Sequence, residues 1–239
     1  MAALTYLSFP RDCIRQRWRL LLWSVTALPI LFALFGTQEP LALLVFGGLT
    51  LNWMSLPASR RVAYRGQVAV ARRIARVLPD GYTLITQLEI PNPYSHPEVT
   101  VLDAVIVGPT GVCVVGVKSN RGVVIAGSAC NRYWPVRKVG RGGTVYYSQM
   151  RNPVRQATGQ ARALREHLKR RGIRVWVKPL VIGGSRRTRW QNNHIQPAPI
   201  LPFDTRCIEH ALFSSNVRLL EDFKVTQIRN ALLPRETHR

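Results

Sequence analysis

Acid is what this chain has least of. Of 239 residues, 12 are Asp or Glu against 34 Lys or Arg, giving a net charge of +22 and a pI near 11.4. Such an excess excludes a basic partner and points to a polyanion, either nucleic acid or an acidic lipid surface. Cysteine is thin as well. Cys13, Cys113, Cys130 and Cys207 form no CxxC pair and the five histidines are isolated, so a zinc site of ordinary ligand spacing is excluded. The lack of a disulfide pattern suits a reducing compartment, and Cys113, inside an apolar run, reads as a small buried hydrophobe. There is no internal repeat and no second soluble domain, and the 46% hydrophobic content allows one sizeable core. Lysine is scarce beside arginine, which supplies 29 of the 34 basic residues, a bias that suits a high-GC bacterial source.

Charge is also absent from two long runs. Residues 20–38, "LLLWSVTALPILFALFGTQ", and residues 40–59 hold no ionisable side chain, and each approaches the roughly 20 residues that cross a bilayer core as helix. Only "GTQEP" joins them, so two antiparallel spans are expected. Trp18, Trp23 and Trp53 suit the interfacial belt, and the arginines flanking both runs place both termini on the cytoplasmic side of the inner membrane. Two alternatives compete. A cleaved signal peptide lacks a small-x-small site and leaves the second run unexplained, and a pair of buried core helices would need no flanking charge. The expected organisation is a basic cytoplasmic segment over residues 1–19, a transmembrane hairpin over 20–58, and a cytoplasmic domain over 59–239. In the hairpin, Pro29 would kink the first span, and Gly47 with Gly48 would let the helices approach closely.

Residues 59–239 carry thirty basic and ten acidic side chains, a net +20, and alternate between helical and strand patterns. Ala63, Gln67, Val70, Ile74, Val77 and Leu78 share one helical face, with Arg65, Arg72, Arg73 and Arg76 over the rest and Pro79-Asp80-Gly81 as the stop. Strands are expected over residues 82–90, 100–107, 112–118 and 123–126, the middle two joined as a hairpin by "GPTG". A looser glycine-rich segment, "KVGRGGTVYYSQ", precedes a helix that Asn152 caps, Pro153 opens and Gly172 ends. A strand over "VWVKPLVI" comes next. The proline-rich "QPAPILPF" discourages regular structure, and a last amphipathic helix is expected from about Val217 to Leu233.

Chemistry concentrates in "VCVVGVKSNRG". Strand alternation puts Val114, Gly116 and Lys118 on one face and Cys113, Val115 and Val117 on the other, while Asp103 lies with Val101 and Val105 on the preceding strand. A carboxylate among valines needs a partner, and Lys118 is the nearest candidate. Two meanings stay open here: an ion pair closing a sheet end, or a phosphodiester site in which an aspartate and a lysine serve the scissile phosphate.

The pieces "RGQVAVARRIARVLP", "VLDAVIVGPTGVCVVGVKSNRGVV", the tryptophan of "RYWPV" and "NPVRQATGQARALREHL" together resemble the nuclease-related domain, a branch of the PD-(D/E)xK restriction-endonuclease-like superfamily. The resemblance covers somewhat under half the chain, from about Arg65 to Leu168. It implies an α/β fold with a restriction-endonuclease-like mixed sheet flanked by helices. It also implies that Asp103 is the metal-binding aspartate, Lys118 the active-site lysine and Gln156 a polar group lining the same cleft. The family's helix glutamate falls on Gln67, a vestigial position, and its strand acid falls on Gly116. Two of three expected carboxylates are therefore absent, and one carboxylate holds Mg²⁺ weakly. Glu89 and Glu98 are the acids that relocation could use. Gln67 reads equally as an inherited site-facing residue or a satisfied core amide.

The expectation is thus a membrane-anchored nuclease-like domain that has lost efficient cleavage, needs no cofactor unless Mg²⁺-dependent activity survives, and binds nucleic acid. Arg132, Arg137, Arg141, Arg151, Arg155, Arg186, Arg187 and Arg189, interleaved with Tyr133, Trp134, Tyr146 and Tyr147, are the binding candidates, with Trp134 also readable as core. The competing role is an interaction subunit of a membrane assembly whose basic face meets anionic lipid or partner proteins.

Overall fold

A computed structural model describes residues 3–5, 58–92, 98–140, 142–191, 197–213 and 219–233. The chain divides into two compact units, residues 8–62 and residues 1–7 with 63–239, and both sheets belong to the latter. The transmembrane hairpin expected over residues 20–58 lies outside the described residues, save Ala58. Among the described residues no helix is long and apolar enough to cross a membrane.

Sheet A has six strands in the order β1 (Ala3–Thr5), β2 (Thr83–Pro91), β3 (Val99–Gly108), β4 (Gly111–Lys118), β8 (Val177–Gly183) and β10 (Ile200–Leu201). β2, β3 and β4 run antiparallel in sequence, while β1, β8 and β10 join their neighbours in parallel. The expected β3–β4 hairpin is present, its end pair Gly108 and Gly111, and Gly111 takes φ +115°, which a residue without Cβ adopts freely.

Helix α1 (Ala58–Val77) lies on one face of this sheet. Val70, Ile74 and Leu78 recur every fourth residue and pack on Leu84, Ala104, Ile106 and Val115, as helical periodicity requires. Helix α3 (Thr205–Phe213) shares that face through Ile208 and Leu212. Helices α2 (Pro153–Arg170) and α4 (Asp222–Leu232) cover the other face, where Leu164, Leu168 and Ile228 meet Val105 and Val114. Each such aliphatic side chain contributes about 1.5–3 kcal/mol by leaving water. Asn152 caps α2, its Oδ1 accepting from the N–H groups of Val154 and Arg155, as its position before Pro153 predicts.

Sheet B extends two adjacent strands of sheet A. β4 and β8 pair in parallel up to Lys118 and Gly183. After a short break their continuations, β5 (Gly122–Ile125) and β9 (Thr188–Gln191), pair in parallel again. β6 (Tyr133–Val139) and β7 (Val145–Arg151) complete the order β7-β6-β5-β9. The segment "KVGRGGTVYYSQ", expected to be loose, is therefore most of a hairpin. Its strands escape notice because only one face is covered: Trp134, Val136 and Met150 are buried while the residues between are polar or exposed. Gly143, at φ +81°, supplies the turn. Two further corrections apply. The proline-rich stretch contains β10, and α3 comes after it unanticipated. The last helix begins at Asp222, residues 219–221 being non-helical.

Candidate functional site

The site forms where sheet A breaks and sheet B begins. Helix α1 brings Gln67, β2 Gln87, β3 Asp103, β4 Gly116 and Lys118, and α2 Gln156 and Gln160. Close packing fixes their approach. A methyl on Gly66 would overlap Ser119 Oγ, and one on Gly184 would do the same, so the glycine beside Gln67 lets α1 press against the end of β4. Ser119 Oγ is itself buried there without a partner.

Asp103 is held on both oxygens. Oδ1 accepts from Gln67 Nε2 at 2.8 Å and Oδ2 from the Val117 N–H at 2.8 Å. Gln67 in turn accepts on Oε1 from Gln87 Nε2 at 3.0 Å. The amide is both site-facing and satisfied, so the two meanings of Gln67 coincide. Gln87, missed from the sequence, adopts φ +54°, the left-handed region, at a cost on the order of 1–3 kcal/mol for a residue with a side chain.

That strained residue marks a change of face. Ile85 and Leu88 both pack on the α2 side, although regular alternation would put them on opposite faces; Leu102 and Val105 do the same on the paired strand. The discontinuity therefore spans both strands at Gln87 and Asp103. The expected grouping of Asp103 with Val105 fails for this reason: Val105 is buried toward α2, and Asp103 turns toward α1. Glu89 and Val101, paired and exposed, lie beyond the switch on the side of Asp103.

Lys118 is not paired as expected. Its Nζ donates to Gln156 Oε1 instead of reaching Asp103, because β3 and β4 stop pairing at Ala104 and the carboxylate bonds the β4 backbone. The two charges still feel each other. Burial raises the Asp103 pKa, opposed by the Val117 N–H, Lys118 and Gln67. Burial lowers the Lys118 pKa, which Asp103 opposes and Arg151 reinforces.

Gly116 is not forced by packing. A Cβ there would sit 3.7 Å from Ala157 Cβ and 3.8 Å from Gln160 Oε1, ordinary contact distances. Gln160, also missed, donates from Nε2 to the Val101 carbonyl at 3.0 Å, and its Oε1 is buried without a partner. Its position three residues beyond Ala157 on the buried face of α2 is the signal that finds it.

The basic candidates divide. Arg137, Arg186, Arg187 and Arg189 line one groove on sheet B. Arg151 bears on Lys118, Arg132 lies over the Tyr133 ring at 5.5 Å, and Arg155 is exposed on the first turn of α2. Arg141 lies outside the described residues. Trp134 is wholly buried, its Nε1 donating to the Ser128 carbonyl at 3.2 Å, so it is core. Cys113 is buried too, which pushes its thiol pKa up to about 12, and it is inert as a nucleophile.

An aspartate on one strand, a lysine ending the next, and helices on both faces of a mixed sheet fit the PD-(D/E)xK restriction-endonuclease-like superfamily. The family model of the nuclease-related domain matches residues 63–183, just over half of the chain, and the chain belongs to that family. No curated protein and no solved structure matches it.

The divalent cation that the superfamily implies does not fit this donor set. Mg²⁺ takes about six oxygens in strict octahedral geometry and leans on anionic ones. Here Asp103 already faces two N–H donors, Gln67 turns its nitrogen toward that carboxylate, and position 116 has no side chain. Among the described residues no three His, Cys, Asp or Glu side chains gather to hold a metal.

Proposed function

We propose that the chain is a membrane-anchored nuclease-related domain protein that no longer cleaves efficiently and binds DNA or another polyanion at the cytoplasmic face of the inner membrane. One observation carries the loss of cleavage: Asp103 is capped by the Gln67 amide and the Val117 N–H, with no acid at Gly116 to oppose it. The chain's own residues then position charge without driving a reaction. Lys118, steadied by Gln156, and the arginines of sheet B supply the cationic surface, and the uncharged runs at 20–38 and 40–59 supply the anchor.

The test is plasmid nicking by the full-length protein in Mg²⁺ or Mn²⁺, beside Asp103→Ala and the double variant Gln67→Glu/Gly116→Glu. No cleavage by wild type, DNA retained on a gel, and cleavage gained by the double variant are the expected results. Membrane fractionation of the same protein checks the anchor.

A second role, an active nuclease with a relocated acid, has one observation in its favour. The strand register puts Glu89, paired with Val101, one diagonal step from Asp103 on the same side, and such neighbours lie roughly 7–8 Å apart, somewhat less between Cβ atoms. Wild-type cleavage abolished by both Asp103→Ala and Glu89→Ala would establish it and overturn the first proposal. An interaction subunit lying on anionic lipid would instead retain phosphatidylglycerol vesicles and no DNA.

A further inference from the structure

The face of sheet B turned away from the core combines arginine with exposed tyrosine. Its strand register lines up Arg189 of β9, Val123 of β5, Arg137 of β6 and Tyr147 of β7 in one row across all four strands. Three strand spacings make that row roughly 14 Å long. Between β6 and β7 Tyr133 stands opposite Arg151. The inward neighbours of these residues, Val124, Trp134, Val136 and Met150, are buried in the core beneath, so the outward side chains face away from the protein. Tyr147 is 64% exposed and Tyr133 41%.

Little acid on the described chain answers the charge: Asp204 shares a separate cavity with Arg186 and Arg189, and its Oδ1 already accepts from the N–H groups of Arg206 and Cys207. Between Asp103 and Asp204 the only acid is Glu166, which lies in α2 beside Arg165. Among the described residues Arg137, Arg189 and Tyr147 have no hydrogen-bond or ion-pair partner. The groove on this face gathers Arg137, Arg186, Arg187 and Arg189 around Val123 and Val139. Guanidinium groups around an apolar floor suit phosphates bound beside something flat, and exposed tyrosines on a sheet suit stacking.

We infer that the outer face of sheet B binds single-stranded nucleic acid, with the arginine groove taking phosphates and Tyr147 stacking an unpaired base. This rests on the polyanion-binding role proposed above and narrows it. A duplex hides its base faces and offers a flat sheet only phosphates, whereas a single strand can lay bases on aromatic rings while its backbone follows the basic groove. A lipid surface would use the arginines but would have no use for the row geometry.

The experiment is fluorescence anisotropy of the full-length protein in nonionic detergent with a labelled 20-nucleotide oligothymidylate, a 20-base-pair duplex, and phosphatidylglycerol vesicles as competitor. The single strand should bind more tightly than the duplex. Tyr147→Ala should weaken it roughly 5- to 100-fold with little change in salt dependence, and Tyr147→Phe should restore it. Arg137→Ala and Arg189→Ala should each flatten the slope of log affinity against log salt by about 0.7. Equal or tighter binding of the duplex, or indifference to Tyr147→Ala, would overturn the inference and leave polyanion binding standing. Vesicles bound and neither nucleic acid retained would overturn the inference in favour of the lipid-facing subunit, and none of the three bound would overturn polyanion binding as well.

Discussion

The site at the end of sheet A and the outer face of sheet B are built in opposite ways. At Asp103 the charged groups are met by others of the same chain: two donors on the carboxylate, a second glutamine behind the first, and a third glutamine on Lys118, leaving Gln160 Oε1 and Ser119 Oγ as the buried polar atoms there without a partner. On sheet B the side chains of Arg137, Arg189 and Tyr147 have no hydrogen-bond or ion-pair partner among the described residues, and the strands that carry them contain no acid. A pocket that satisfies itself has little affinity to offer a ligand, because each new contact must replace an existing one. A face left unsatisfied gains its whole interaction from outside. Under the proposed function, the inherited position and the binding surface of this domain would be separate places.

That contrast breaks most sharply at Trp134. It is wholly buried beneath sheet B among Val154, Ala157 and Val181, and it ties the sheet to the helix that carries Gln156. Trp134→Ala should cost about 3–5 kcal/mol in urea unfolding and abolish the single-strand affinity with it. A cost below 1 kcal/mol would mean that sheet B is not seated on this core. Gly66→Ala should cost less, about 1–3 kcal/mol, because its methyl collides with Ser119 Oγ despite the better helix propensity of alanine. Ser119→Gly should recover most of that loss in the double variant. Strict additivity of the two changes would show that the collision is not what keeps glycine there.

How much of the molecule is legible in its sequence depends on what each element needs. α1 and α2 declare themselves because apolar residues recur at helical spacing, and β3 with β4 because "GPTG" allows only a tight return. Of the four candidates Asp103, Lys118, Gln67 and Gln156, the structure joins Gln67 to Asp103 and Lys118 to Gln156. That pairing is not legible in the sequence, since Lys118 is expected on Asp103 and holds Gln156. Its cause is the change of face at Gln87, a glutamine forced to φ +54° with no glycine or asparagine to announce it. Of sheet B only β5, expected over residues 123–126, is legible, and the rest stays hidden for another reason. Its strands are covered on one side only, so tyrosine and arginine occupy the outward positions, and the sequence there reads as loop.

The smallest expected effect sits at the self-satisfied pocket. In Asp103→Asn the Oδ1 can still accept from Val117 N–H, and Nδ2 can donate to Gln67 if that amide and Gln87 behind it both turn over. Asp103→Ala instead leaves Val117 N–H and Gln67 Nε2 without an acceptor, a loss of about 1–3 kcal/mol. The asparagine variant should therefore be near neutral, with a difference that depends on pH. Burial holds the Asp103 carboxyl above its ordinary 3.8, so the folded chain keeps that proton at pH values where the unfolded chain has released it. The stabilisation is fully present below 3.8 and falls as pH rises through the folded pKa, by at most about 1.4 kcal/mol per pH unit. The asparagine variant lacks this loss. Urea unfolding of both proteins at pH 4 and pH 7 should show the variant gaining on wild type as pH rises. A difference that stays flat would mean that Gln67 and Val117 already stabilise the carboxylate as well as water does, and that Asp103 remains open to a cation after all.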